Sequence, residues 1–157
     1  MKKLFIILSL TIFILSCSSS QKMIKGTNIP ATNDNSAVVD LLKLYNTHLE
    51  NMDIDGLMEI TSKSYFDNSG TDKSDDDFGY SQLRDILVER FKNVKEIHQK
   101  MTINSIIKDG DNYVVNYGID GRFLMEVDGK TLWVEKTDRN EIVILKKDDT
   151  YKIKKGM

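Results

Sequence analysis

The sequence predicts an α+β domain in which N-terminal helices pack on a curved antiparallel sheet. Apolar residues recur at spacings of three and four between Ser36 and Val94, and from Ile97 onward they alternate with a period of two. A run of helices followed by hairpin-linked strands is typical of this class, because neighbouring strands pair and the helices cover one sheet face. With 157 residues, 40% of them hydrophobic and 29% charged, the chain has room for one core.

Three helices are expected before the sheet. Ser36 is suited to cap the first helix, Asp53 to cap a short second one, and a third begins near Ser81. The segment 66–79 between the second and third helices has the composition of a loop. The first helix presents one apolar face, made of Val38, Leu41, Leu42, Tyr45, Leu49 and Met52.

The second half of the chain predicts a series of hairpins. A half-buried strand covers 97–108, a long strand covers 113–127, and "TLWVEK" to "EIVILKK" supplies a further long strand or pair before the final "YKIKK". The segments "KDGDN", "VDGK" and "KDDT" separate these strands and carry turn residues. The sequence therefore predicts about four antiparallel strands.

The N-terminus has the pattern of an export signal. Lys2 and Lys3 precede the 13-residue apolar run "LFIILSLTIFILS", which spans only about 20 Å as a helix, against a hydrocarbon core of about 30 Å. The only cysteine of the chain follows this run directly. The resulting pattern "ILSC" resembles the lipobox of bacterial lipoproteins. The resemblance implies cleavage before Cys17 and a lipid, with acyl chains such as palmitate, on its sulfur.

These patterns divide the chain into three parts. We expect a signal peptide at 1–16, a lipidated cysteine and flexible tether at 17–35, and an α+β domain at 36–157. The tether prediction rests on a polar segment with one proline and no periodicity. The expected location is the bacterial cell envelope, on either the inner or the outer membrane.

Composition argues against several other classes of function. The net charge is −2, and no basic stripe of the kind that binds nucleic acid is present. A single cysteine excludes an internal disulfide. His48 and His98 lack the spacing of a zinc site, and the acidic run Asp72 to Asp77 lacks the glycine and glutamate of a calcium loop. We therefore predict no metal and no cofactor.

Two segments resemble the nuclear transport factor 2-like, or SnoaL-like, superfamily. They are "LLKLYNTHLENMDIDGLMEITSKSYFD" near the start of the domain and "VILKKDDTYKIKK" at its end, and the similarity covers residues 36–157. Many members have tryptophan where this chain has Tyr151. The resemblance implies a conical sheet that encloses a pocket, which members use as isomerases, dehydratases, cyclases, or binding and dimerisation modules.

The same resemblance directs attention to a carboxylate and several phenols. An isomerase of the ketosteroid type needs a base and a group that stabilises the developing oxyanion. Asp67 is the candidate base and Tyr45, Tyr65 and Tyr117 are candidate donors, while Tyr45, Tyr117 and Trp133 are candidates to line a ligand pocket. The alternative is that Asp67 begins a loop and that the aromatic side chains fill the core.

The sequence thus favours a lipid-anchored, non-catalytic module that binds a small apolar ligand or an envelope protein. An enzyme of the isomerase or dehydratase type is the first alternative, and a structural or assembly accessory is the second. Homodimers are common in the resembling superfamily, so a dimer is also an expectation that comes from the resemblance.

Overall fold

The structure, a computed structural model, describes residues 21–69 and 76–157. The predicted signal peptide and Cys17 lie outside the described residues, as do Asp72 and Asp75 of the acidic run. Among the residues described, no helix combines the length and apolar content needed to span a bilayer.

Three helices precede the main sheet, as predicted: α1 (Asn33–Glu50), α2 (Ile54–Glu59) and α3 (Tyr80–Phe91). Asp53 is confirmed as the N-cap of α2, where its side chain accepts from the Gly56 amide. The predicted cap of α1 is wrong. The Thr32 hydroxyl accepts from the Asn35 amide at 3.1 Å, so the helix starts earlier and Ser36 lies within its first turn.

The main sheet contains β3 (Val94–Asp109), β4 (Asn112–Val127), β5 (Lys130–Lys147) and β6 (Thr150–Lys155). These strands are antiparallel and adjacent in chain order, so every connection is a hairpin. The α+β prediction is confirmed. A small addition is the pair β1 (Phe66–Asp67) and β2 (Phe78–Gly79), which lies within the segment predicted to be a loop.

The segment before α1 is folded rather than free, which corrects the predicted tether to Asn35. Met23 forms a β-bridge with Pro30, and the Ala31 amide donates to the Lys22 carbonyl at 2.7 Å. The Ile29 side chain is only 4% exposed. Burial of this one apolar side chain, together with the turn, attaches residues 22–31 to the domain.

The core lies between the helices and one half of the sheet. Its largest fully buried side chains are Leu42, Leu57, Leu83, Tyr113, Val115, Ile142, Ile144 and Ile153. At the other half, around the β4–β5 turn, Val127, Leu132, Trp133 and Val134 are exposed. The helices therefore cover only part of the inner sheet face, and the uncovered part begins near the middle of β4 and β5.

One carboxylate fixes the start of α1 on the sheet. Oδ1 of Asp34 accepts from the Tyr151 hydroxyl at 2.7 Å and from Lys146 Nζ at 3.0 Å, and Oδ2 accepts from the Tyr113 hydroxyl. These hydrogen bonds, the one from Tyr113 above all, hold the pKa of Asp34 well below its usual value. One side chain thereby joins α1 to three strands.

We predict that Asp34→Asn lowers the free energy of unfolding at pH 7. The folded-state pKa of Asp34 is depressed, so its contribution is complete above the unfolded value of about 3.9 and is lost as the pH falls below it. The difference between wild type and variant, measured by urea unfolding, should therefore narrow between pH 5 and pH 2. Asp40→Asn, an exposed carboxylate on the same helix, is the control and should change little. An equal effect of both variants would contradict the role of Asp34.

Candidate functional site

A cavity of about 760 Å³ lies where the inner sheet face leaves the cover of the helices. Tyr45 reaches it from α1, Arg90 from α3 and Tyr117 from β4. The other described residues that line it are Asp67, Asn68, Ser69, Ile119, Lys136, Arg139, Asn140, Glu141, Lys155, Gly156 and Met157. Strand β5 contributes four of these residues, and the last two residues of the chain, after β6, contribute two more.

Two of the predicted pocket residues meet in this cavity. Tyr45 and Tyr117 are almost fully buried, and their hydroxyl groups interact with each other. Burial raises the pKa of Tyr45 well above its usual value, with Tyr117 as the next cause, and burial also raises the pKa of Tyr117. Both phenols therefore stay neutral at physiological pH, and because the Tyr45 hydroxyl donates to Tyr117, the Tyr117 O–H can donate a hydrogen bond to a ligand.

Asp67, the candidate base, lies in β1 at the cavity wall and is buried. Its Oδ1 accepts from the Ser69 amide at 2.9 Å. Its Oδ2 accepts from the Tyr65 hydroxyl at 3.0 Å and from the Gly156 amide at 2.9 Å. Among the described residues the carboxylate thus has three donors: two lie two positions away in the chain, and the third, Gly156, comes from a distant part of the chain.

Tyr65 belongs to the same hydrogen-bond network but is not among the described cavity-lining residues. Its hydroxyl donates to Asp67 and accepts from the Met157 amide at 3.1 Å, while its ring packs near Phe78. Burial is the main cause that raises the pKa of Tyr65 above its usual value. Asp67 and Tyr65 therefore converge within hydrogen-bond distance, and together they hold the last two residues of the chain.

The cavity wall carries four cations, which sequence reasoning missed. Arg90 donates to the Met157 backbone oxygen at 2.9 Å, and Lys136 forms an ion pair with Asp138 at 3.0 Å. Arg139 and Lys155 form no side-chain ion pair with any described residue. The four cations come from three elements, so no local sequence pattern could have grouped them.

Trp133, the third residue predicted to line a pocket, is not among the described residues that line this cavity. It stacks on His98, with 5.7 Å between ring centroids, and the Arg122 guanidinium lies 4.9 Å from its ring centre. Successive residues of a strand point to opposite faces, and Trp133 is three positions from the cavity residue Lys136 on β5. Its side chain therefore points away from the side of β5 that carries Lys136.

The histidines have structural partners instead of a shared metal. His48 Nδ1 lies 2.8 Å from Asp53 Oδ2, beside the cap of α2, and His98 pairs with Glu96. Across residues 21–69 and 76–157, no group of three or more histidine, cysteine or carboxylate side chains is arranged to hold a metal ion. The described part of the cavity therefore offers hydrogen-bond donors and cations, not a metal site.

Comparison with known proteins identifies the fold through structure and not through sequence. No protein-family model matches the chain, and no curated protein matches it by sequence. A ketosteroid isomerase-like protein from Erwinia carotovora superposes with a TM-score of 0.64 at 12% identity, covering 80% of this chain and 94% of its own.

Two further solved structures have the same arrangement. A protein named as a dehydratase of the nuclear transport factor 2-like family, from Streptomyces avermitilis, has a TM-score of 0.60 at 13% identity and covers 78% of this chain and 93% of its own. One named as a scytalone dehydratase, from Novosphingobium aromaticivorans, has a TM-score of 0.63 at 11% identity, with 78% and 80% covered. At such identities the likeness shows the fold alone, and this chain has the nuclear transport factor 2-like fold.

Proposed function

We propose that this protein is a lipid-anchored envelope module that binds a small ligand in the cavity beneath β4 and β5 without transforming it. The observation that carries the proposal is that a cavity of ligand size is lined by Tyr45, Tyr117 and several cations. The one buried carboxylate among its described residues, that of Asp67, is hydrogen-bonded within the fold. A concave site with a few convergent polar groups is the usual form of a small-molecule site.

The contacts of Asp67 favour a structural role. A general base must reach a substrate proton, whereas Oδ2 of this carboxylate already accepts from the Tyr65 hydroxyl and the Gly156 amide. These two donors belong to the segment that leads into β1 and to the end of the chain. Removing the carboxylate would leave both donors in a buried place without an acceptor.

A second candidate is an isomerase or dehydratase that uses Asp67 as base. It is favoured by the 3.0 Å contact between Asp67 and the Tyr65 hydroxyl at the wall of the cavity. Among the described residues, Oδ1 accepts one hydrogen bond, from the Ser69 amide, and therefore has a second acceptor position. Several solved proteins of the same fold bear the names of dehydratases or of an isomerase-like protein. The two candidates differ in what a change at position 67 does to stability.

We predict that Asp67→Asn lowers the free energy of unfolding by about 1–3 kcal/mol, because an amide nitrogen would face a buried donor. Tyr65→Phe should lower it by about 1 kcal/mol, since the Met157 amide loses its acceptor. Urea unfolding of both variants measures these effects, with the exposed Asp55→Asn as control. Unchanged stability of Asp67→Asn would shift support to the enzyme candidate.

We predict that filling the cavity removes a bound molecule. Ile119 lines the cavity on β4, and Ile119→Trp should occupy the space that a ligand needs. Native mass spectrometry of the full chain, extracted from its host membrane, should show a bound mass in wild type and its loss in the variant. Leu124→Trp, a partly buried position on the same strand that does not line the cavity, is the control. Equal occupancy in both variants would contradict a ligand in this cavity.

The anchoring part of the proposal rests on the pattern before Cys17. A charged start, an apolar run of export-signal length and the single cysteine agree with lipid attachment at that residue. Two or more acyl chains give stable membrane attachment, whereas one chain binds only marginally. The predicted location of the domain is therefore the surface of an envelope membrane.

We predict that Cys17→Ser abolishes incorporation of radiolabelled palmitate and stops processing to the shorter chain. The serine hydroxyl lacks the nucleophilic sulfur that accepts the lipid, so the variant should accumulate as the unprocessed form. Labelling of cells followed by gel analysis of the immunoprecipitated protein measures both effects, with Ser18→Ala as the matched control. Label retained by Cys17→Ser would exclude this residue as the anchor.

A further inference from the structure

We propose that the molecule bound in the cavity is a single-chain amphiphile, whose polar head lies in the cavity and whose alkyl chain lies along an apolar strip of the same sheet face. This inference rests on the proposed function, since it names the class of molecule bound at that site. It narrows the small apolar ligand expected from the sequence to one with an oxygen-bearing head and a long chain. The evidence is the change from polar to apolar side chains along β4 and β5.

The apolar strip consists of five side chains beside the β4–β5 turn. Phe123 is paired with Val134 and Met125 with Leu132, and Val127 follows on β4. Residues paired in an antiparallel sheet share a face, and so do alternate residues of one strand. Leu132, Val134 and Val127 are 40%, 37% and 43% exposed, so no described helix covers them.

The strip lies on the sheet face that carries the cavity. The register between β4 and β5 contains no shift from the cavity to the turn. On β4, Phe123 lies four residues from Ile119 and six from Tyr117. On β5, Val134 lies two residues from Lys136. Because all these separations are even and Tyr117, Ile119 and Lys136 line the cavity, the strip continues the lining of the cavity toward the turn.

The opposite face of the same two segments has a different composition. Its side chains are Arg122, Leu124, Glu126, Thr131, Trp133 and Glu135. Half of these are charged, whereas the strip has no charged member. An exposed apolar patch with polar surroundings marks a contact site more often than a plain surface.

The cavity supplies the polar end of the site. The Tyr117 O–H can donate to a head group because the Tyr45 hydroxyl donates to Tyr117, and the Asn140 amide lies opposite Tyr117 on β5. Lys136 adds an ammonium, which its ion pair with Asp138 at 3.0 Å partly neutralises. These groups donate to oxygen atoms. A molecule that contacts both ends of this face therefore needs an oxygen-bearing head and an apolar chain.

The dimensions of the strip suit one alkyl chain. Phe123 and Val127 are four residues apart, or about 14 Å along the strand. One acyl chain of a membrane lipid spans half of the hydrocarbon core, or about 15 Å. The strip is two strands wide, with about 5 Å between the strands, so it offers apolar surface to one chain and not to the two chains of a phospholipid.

The experiment maps where each end of a fatty acid contacts the chain. The probes are two hexadecanoic acids that carry a diazirine either beside the carboxyl group or near the methyl end. The full chain is irradiated in phosphatidylcholine nanodiscs that contain one probe as a minor component, and its tryptic peptides are sequenced by mass spectrometry. Peptide 109–122 holds the cavity part of β4, and peptides 123–130 and 131–136 hold the strip. We expect the carboxyl-end diazirine to label 109–122 and the methyl-end diazirine to label the strip residues.

Variants on the two sheet faces test the same assignment. Leu132→Gln combined with Val134→Gln removes apolar contact from the strip, and this change should lower labelling by both probes about fivefold. Both positions are exposed, so the fold should tolerate the two amides. Thr131→Gln combined with Glu135→Gln alters the opposite face of the same strand and should leave labelling unchanged. Ile119→Trp, which fills the place of the head, should abolish labelling by both probes.

Other outcomes would overturn the inference. Methyl-end labelling confined to 109–122 would place the whole molecule in the cavity and leave the ligand site standing. Equal labelling of the strip by a phosphatidylcholine with the same diazirine would assign the strip to the bilayer, and a dimeric mass in native spectra without methyl-end labelling would assign it to a second copy. If neither fatty acid labels the chain, the inference fails, and the proposed function then depends on whether Ile119→Trp removes a bound mass.

Discussion

The binding of the chain end by Asp67 and Tyr65 is the contact on which the cavity depends. Gly156 and Met157 donate to these two side chains, and Arg90 holds the Met157 backbone oxygen. Gly156 has a φ of +91°, and a Cβ there would lie 2.2 Å from the Glu141 carbonyl oxygen, so only glycine fits. The last residues therefore become a wall of the site, close to α3 and β1.

The same end of the chain is held upstream by backbone contacts. The Ser62 amide donates to the Ile153 carbonyl at 2.8 Å, and the Ile153 amide donates to the Ile60 carbonyl at 2.9 Å. Strand β6 is thereby bound on one side by β5 and on the other by the segment after α2. Because Ile153 is fully buried, hydrogen bonds and core packing act together to fix the strand that leads to the site.

The order of helices and strands could be read from the sequence because apolar periodicity reports burial directly. The α1 boundary could not, since Thr32 and Ser36 are both good caps, and tertiary contacts of Asp34 favour the earlier start.

The position of Asp67 within a two-residue strand had no local sequence signal either. The grouping of Arg90, Arg139 and Lys155 depends on topology, which joins residues far apart in the chain. Trp133 could not have been excluded by strand parity, because Arg139 and Glu141, which line the cavity, have the same parity.

The folded turn formed by residues 22–31 changes the geometry of attachment. A chain anchored at Cys17 reaches Lys22, the first residue of this turn, through five residues, or about 17 Å when fully extended. A free segment up to Asn35 would instead allow about 60 Å. With lipid on Cys17, the domain would touch or nearly touch the headgroup layer, so its cavity would sample solutes concentrated at the membrane surface in preference to those of the open compartment.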